Sequence, residues 1–506
     1  DIPELKIPEE GGPADTEILS FYGYNEDYSA QNELKASFPL SGIFNYCSGC
    51  ITAAPYRIHY SEKATQEGIT DHYKSFLSNN YADIIGSTGS INLVTVERDQ
   101  LYAMTDKAVY FIPTRPQQLT TGESSIYIGT GEVLSIPAKR LVSPNFAYGG
   151  CKHPFSLAST EYGTIYVDEQ LGSIFHLTDK LEEISTKGHK QWFKNNLPLS
   201  LLKQYKEQTN GDDYPINSTV SNNGVGYSAT YDPRYKRYIL HKRDYEIIDP
   251  VLTTYDTTLD IWYYNGTALS GFDPRYFVNK SWTISFSLQH QAWASYHSYF
   301  PRFAFNDENV FYTTKLDGVY SHDGPYQNYY GTKYDHTVDF IINPDPGQTK
   351  TFSSLSVISD VSLYDTTTKQ FLDIPQSFFD NGIFYNSYQS TGKKSITMLE
   401  SNPFLVVDNQ TNIYAHKIDQ SVHINSIRNF ITDYTLPIWT SDWTTIQPDY
   451  YIDKVPNASA LDVTKSLFEY ERLKDEWFGA RLFFNPTEDY KITTDIVATT
   501  TSQSFR

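Results

Sequence analysis

The chain has 506 residues and a formal net charge of −20, which argues against a surface built to grip nucleic acid, because such surfaces are basic. Its length exceeds what one ordinary core organises, so two or three domains are expected. With 42 Tyr, 29 Phe, only 2 Met and no long Ala/Leu/Glu/Lys runs, the predicted fold class is all-β, since aromatic and β-branched side chains suit a pleated, half-buried surface. No apolar run approaches the roughly 20 residues of a membrane-spanning helix. The opening Asp1-Ile2-Pro3-Glu4 has neither the basic nor the apolar segment of a secretion signal. A chain starting at Asp1 is expected to be a cleavage product of a longer precursor, or a numbered fragment of one.

Residues 1–85 read as an extended N-terminal arm or irregular cap. Pro3, Pro8 and Pro13 break its start, Gly11-Gly12 adds slack, and one helix is predicted over 69–79, capped by Thr70. Such a segment has too little periodic apolar surface to fold alone, so its ordering is expected to need a neighbour. Strands follow: Ile91 to Glu97, Leu101 to Met104, Lys107 to Ile112, Ile126 to Ile128 and Val133 to Ile136. The clearest hairpin runs from Thr164 to Leu177. Ile165 and Val167 share one face of its first strand, Phe175 and Leu177 one face of its second, and Gly172 supplies the turn. A helical insertion, Gly188 to Asn195 running into Leu197 to Tyr205, separates this hairpin from the next strands.

Strands resume at Gly226 to Tyr231 and Arg237 to His241 across Asp232-Pro233-Arg234, where Pro presets φ and Asp bonds the following backbone. Trp282 to Leu288 pairs with Ala292 to His297, and Val310 to Thr314 pairs with Gly318 to His322. Hairpins recurring at this spacing, each closed by a Gly or Asp turn, predict an irregular β-propeller of roughly five to seven blades over residues 86–345. Asn343-Pro344-Asp345-Pro346-Gly347 reads as a boundary. Residues 346–506 are expected to form an additional, sandwich-like β-rich domain, with a long strand from Phe352 to Tyr364. Its late strands, Ala480 to Phe484 and Tyr490 to Thr499, either close the propeller or complete that domain.

Chemistry-bearing patterns are few. Trp282, Trp293, Tyr296, Tyr299 and Phe300 form an aromatic run, which reads either as a sugar-stacking platform or as blade core. His241, His290, His297, His322 and His336 are scattered, with no metal-binding spacing. Cys47-Ser48-Gly49-Cys50 with Cys151 is too few ligands for zinc and lacks a thioredoxin context, so these read as thiols in a reducing or assembled environment. Glu182-Glu183 and Asp212-Asp213 read as solvated loop acids rather than a glycosidase pair. Gly129-Thr130-Gly131 reads as a turn, lacking the Lys-Ser/Thr of a phosphate loop. The sequons at Asn217, Asn265, Asn279, Asn409 and Asn457 carry no meaning without a secretory route. No catalytic, cofactor or metal residue is assigned.

Four stretches together resemble a known family: I-Y-I-G-T-G-E-V-L-S-I-P (126–137), Y-G-G-C-K-H-P-F-S-L-A-S-T-E-Y-G-T-I-Y-V-D (148–168), Y-S-A-T-Y-D-P-R-Y-K-R-Y-I-L-H-K (227–242) and W-T-I-S-F-S-L-Q-H-Q-A-W-A-S-Y-H-S-Y-F-P (282–301). The chain is similar to the tail muzzle proteins of crAss-like short-tailed phages, whose functional analogue is the podovirus tail nozzle, tail tubular protein B. The resemblance covers residues 90–345 best. It implies a non-enzymatic virion component without cofactors: a homo-oligomeric, hexameric ring among other tail proteins, around a channel that genomic DNA traverses without specific binding. The excess of acid fits a conduit, since a negative wall repels phosphate, although solubility alone gives the same charge. A carbohydrate-binding or carbohydrate-active propeller and a receptor-binding adhesin stand as alternatives.

Overall fold

A computed structural model of the chain describes residues 54–61, 80–145, 148–214, 223–322, 328–399, 412–428, 471–485 and 490–503, apart from short stretches within these spans, and the strands Lys35–Ala36 and Ser75–Phe76. The described residues are mostly β-sheet, with two short α-helices. They divide into two compact units, Asp1–Tyr296 with Arg302–Asn306 and His297–Pro301 with Asp307–Arg506.

The first unit contains three four-stranded antiparallel sheets. The first comprises β1 (Ile91–Glu97), β2 (Gln100–Thr105), β3 (Val109–Ile112) and the short β4 (Lys139–Arg140). Its first hairpin turns through Arg98 and Asp99, at φ +47° and +60°, the left-handed pair that matches the twist of flanking strands. The second comprises β5 (Ala158–Thr160), β6 (Gly163–Asp168), β7 (Ser173–Leu177) and β8 (Leu181–Glu183), in chain order.

Two helices follow, α1 (Lys190–Asn196) and α2 (Ser200–Gln208). The third sheet comprises β9 (Gly226–Asp232) and β10 (Arg237–Arg243), with two later strands. Between β10 and those strands lie β11 (Tyr245–Ile247), β12 (Thr253–Asp256), β13 (Ile261–Tyr264), β14 (Thr267–Ala268) and β15 (Phe277–Asn279). The sheet is completed by β16 (Trp282–Ser287), beside β10, and β17 (Ala292–His297).

The middle sheet is buried on both faces. Ile165, Val167 and Ile174 share a core with Tyr227, Tyr238, Leu240, Trp282, Ile284 and Phe286 of the third sheet. Tyr166, Phe175 and Leu177 share another with Tyr102, Met104 and Val109 of the first. Alternation along β6 and β7 therefore divides apolar residues between two cores rather than between core and water. Register agrees, because Tyr166 lies opposite Phe175 and Val167 opposite Ile174. Each fully buried aromatic or aliphatic side chain here contributes on the order of 1.5–3 kcal/mol.

The second unit begins with the hairpin β18 (Val310–Thr314) and β19 (Val319–Ser321). A ten-stranded sheet follows. Its strands include β20 (His336–Ile342), β21 (Lys350–Asp365), β22 (Gln370–Asp373), β23 (Asn381–Tyr385), β24 (Lys394–Leu399), β25 (Asn412–Ile418), β26 (Ser421–Asn425), β27 (Phe478–Phe484) and β28 (Tyr490–Gln503). Their order is β20-β27-β23-β24-β25-β26-β21-β22. Residues 354–358 of β21 pair with both β26 and β28, which places β28 on the opposite side of β21. The core beneath contains Phe352, Leu355, Val357, Phe379, Phe384, Ile424, Phe478 and Leu482.

The predicted helix over 69–79 meets a correction within its described part. Ser75–Phe76 is a strand parallel to Lys35–Ala36, and pairing supplied forty residues earlier overrides a local periodicity. The remainder of that helix, including Thr70, lies outside the described residues, as do Gly129–Gly131 and Val133. Ile126 to Ile128 lies in the strand Ser124–Ile128. Pro344 to Pro346 lie outside the described residues too, but the strands on either side, β20 and β21, belong to the same sheet of the second unit. The late strands also join that sheet: β27 lies between β20 and β23, and β28 against β21.

Candidate functional site

A dense set of polar contacts in the first unit lies where α1 and α2 meet the second and third sheets. Proline at 198 separates the two helices, and neither has a side-chain N-cap, so the exposed amides of α2 need acceptors from elsewhere. Asp244, fully buried after β10, accepts Ser200 N at 2.8 Å and Leu201 N at 3.2 Å. Its charge is paired with the buried Lys242 Nζ at 2.8 Å, and that ammonium also donates to the Asn196 and Pro198 carbonyls, each at 2.8 Å. On the other side, Glu169 accepts Leu199 N at 3.1 Å and holds His153 Nε2 at 2.7 Å. The Tyr227 hydroxyl donates to the Leu197 carbonyl. Two carboxylates from two sheets thus hold one helical linker.

Neighbouring acids shift in opposite directions. Burial pushes the Asp168 carboxyl up, against hydrogen bonds from the Leu171 and Gly150 amides. Burial also opposes ionisation of Glu169, but the hydrogen bond and charge of His153, with the Leu199 amide, outweigh it and hold that carboxyl below its ordinary value. Burial pushes the Cys151 thiol up to about 12, so it is an inert core thiol rather than a nucleophile or ligand. These groups are occupied in holding backbone, which is the signature of a fastening.

The aromatic run is mostly core. Trp282 and Trp293 lie 4.9 Å from Trp192 and 4.6 Å from Phe193, and Tyr296 lies 5.5 Å from Trp192. Their indole N–H groups donate to the Asn196 and Ile184 carbonyls. Tyr299 is buried among His297, His322 and Tyr329 in the second unit, and Phe300 alone is exposed. Of the histidines, His241 faces Thr283 inside the third sheet, His290 is exposed at a turn, His322 stacks on Phe311, and His336 stacks on Phe379. Among the described residues no group of three or more His, Cys, Asp or Glu converges as a metal site.

Glu182 and Glu183 part company: Glu182 is exposed beside Lys187. Glu183 is buried and accepts Ser173 Oγ at 2.8 Å and Asn145 Nδ2 at 3.1 Å. The reading of both as solvated acids is therefore corrected for Glu183, because adjacent strand residues face opposite sides. Asp212 is exposed, as are Asn265 at a turn and Asn279 at the end of β15. Cys47, Cys50, Asp213, Asn217, Asn409 and Asn457 lie outside the described residues. Sequence reading passed over Asp168, Glu169, Lys242 and Asp244. The available signal was the place of Asp168, Glu169 and Asp244 at or just past the ends of alternating strands.

Antiparallel sheets that share cores, with buried ions bonded to backbone, define a β-rich protein. Residues 10–316 match the family model of the Crassvirus muzzle protein, and residues 324–418 match that of the Crassvirus muzzle protein C-terminal domain. The chain belongs to the Crassvirus muzzle protein family and is a virion component of the phage tail. No curated protein matches the sequence. Among the described residues no helix is long and apolar enough to cross a membrane.

Proposed function

We propose that six copies of this chain, together with other tail proteins, close into a ring around the channel through which the phage genome leaves. The role is mechanical and non-enzymatic. Family membership over residues 10–316 is the observation that carries the reading. The formal charge of −20 supports it. Each Lys or Arg that binds a phosphate adds a salt-dependent grip, whereas an acidic lining repels DNA over a Debye length of about 8–10 Å. The three successive four-stranded sheets of the first unit support the reading of residues 86–345 as an irregular propeller of roughly five to seven blades.

Electron microscopy of the purified full chain tests the proposal. The expected particles are six-membered rings with a central hole and an acidic lumen, and they leave duplex DNA unbound at about 0.15 M salt. A lumen lined mainly by Lys and Arg would overturn the conduit. Monodisperse monomers with affinity for a glycan would favour the carbohydrate-binding alternative.

A further inference from the structure

Among the described strands of the ten-stranded sheet in the second unit, β20 is bonded only to β27, and β28 only to β21; β22 and the strand Lys474–Asp475 are also bonded only to β21 but have 4 and 2 residues, so the long open edges are those of β20 and β28. Proteins ordinarily guard such edges with short strands, prolines, charges or a covering segment. β28 has 14 residues, more than twice the common strand length of about 5–6. It contains no Pro or Gly, and its only charged residues are Lys491 and Asp495; the rest is rich in Thr, Ile and Val. β20 contains one acid, Asp339, already held by Arg481 of β27 at 2.5 Å. Both edges continue the same apolar face, because Val338, Phe340 and Ile342 of β20 and Tyr490 and Ile492 of β28 are half-buried against one core. A strand added at either edge would extend that covered face.

We infer that β20 of one copy pairs with β28 of the next, so that the sheets of adjacent subunits run together. The occupant of each edge is the opposite edge of a second copy. A second copy fits better than an unrelated partner because one sheet presents two different unguarded edges with matching apolar faces, and a pair of identical chains satisfies one of each. Two different edges make a heterologous contact, and such contacts close into rings when repeated by rotation. The inference rests on the ring reading above and specifies what joins its members.

The test uses the full chain with Cys47→Ser and Cys50→Ser. One cysteine is placed in β20 (Thr337→Cys or Ile341→Cys) and one in β28 (Lys491→Cys, Thr493→Cys or Asp495→Cys), which alternate along their strands. After mild oxidation, at least one of these pairs is expected to give a covalent ladder extending to the copy number of the ring. A mixture of the two corresponding single-cysteine variants is expected to stop at dimers. Intact rings without intermolecular cross-links in any pair overturn the edge contact and leave the ring standing. Cross-links confined to one chain overturn it as well, since the chain's own edges then meet. If the unsubstituted protein forms no lumen-bearing particle, the ring reading fails and this contact with it.

Where a cysteine pair blocks assembly, hydrogen exchange on the unsubstituted protein decides. Amides of β20 and β28 are expected to gain about tenfold or more protection on assembly; equal exchange in monomer and ring refutes the pairing.

Discussion

Gly172 and Glu169 stand three residues apart and constrain the second sheet by different physics. Gly172 closes the β6–β7 hairpin at φ +63°, and a Cβ there would stand 2.9 Å from the Lys194 Cα of α1. Both the backbone region and the space are reserved for glycine. Gly172→Val is expected to lose about 1–3 kcal/mol, read as a lower urea midpoint with an unchanged slope. Glu169 acts through charge. Its folded-state carboxyl lies below its ordinary value, so its contribution is fully present above the unfolded pKa of about 4.3 and is lost as pH falls through the lower folded value. Glu169→Gln is expected to cost about 1–3 kcal/mol near neutrality, and the gap from the unsubstituted chain narrows below about pH 4. Urea titrations across pH 3–7 check this, and a gap independent of pH would leave only packing. Gly172 was legible, because a tight turn between two alternating strands demands a permissive residue. Glu169 was not, since its partners His153 and Leu199 come from outside its hairpin.

At the scale of elements, α2 shows why a legible helix is not a self-sufficient one. It has nine residues, too short to persist alone in water. It is secured by the apolar contacts of Leu201 and Tyr205 and by Asp244, which takes up its first two amides. Asp244→Ala leaves those amides unmet and strands the Lys242 ammonium in the interior. The expected loss is about 3–5 kcal/mol, the range for breaking a buried ion pair. Hydrogen exchange is expected to rise first over 200–208. If that protection survives, Asp244 is not what secures the helix. Strand pairs were easier to foresee. The Asp232–Arg234 turn forms as expected, with Arg234 N bonded to Asp232 Oδ1 at 3.1 Å, and residues 352–364 lie within β21. Both signals are local: the chemistry of Asp and Pro for the turn, and alternation at every second residue for the strand.

At the scale of the whole molecule, the chain contains several cores rather than one, and aromatic residues decide where they lie. Trp192, Phe193, Trp282 and Trp293 meet in the first unit, although a hundred residues separate the helix from the last sheet strands. The aromatic run had two readings in the sequence, platform or core. Trp282, Trp293 and Tyr296 take the second, because α1 covers them. The second unit gathers strands from 336 to 503 into one sheet, a connection that no local pattern announces. The long open edges of β20 and β28 belong to this scale too: an edge is a property of a finished sheet, not of any strand within it.

The sequence by itself determined the β-rich character, most hairpins and turns of the first unit, the helical insertion, and the resemblance that the family match supports. These depend on short-range regularities: alternation, turn chemistry and composition. Tertiary structure alone decided which face of each strand became core, why the middle sheet is buried twice, and which acids are buried. It also placed the late strands in the second unit's sheet. Those outcomes depend on contacts between residues tens to hundreds of positions apart, and a buried carboxylate or an unguarded edge exists only once the elements around it have packed.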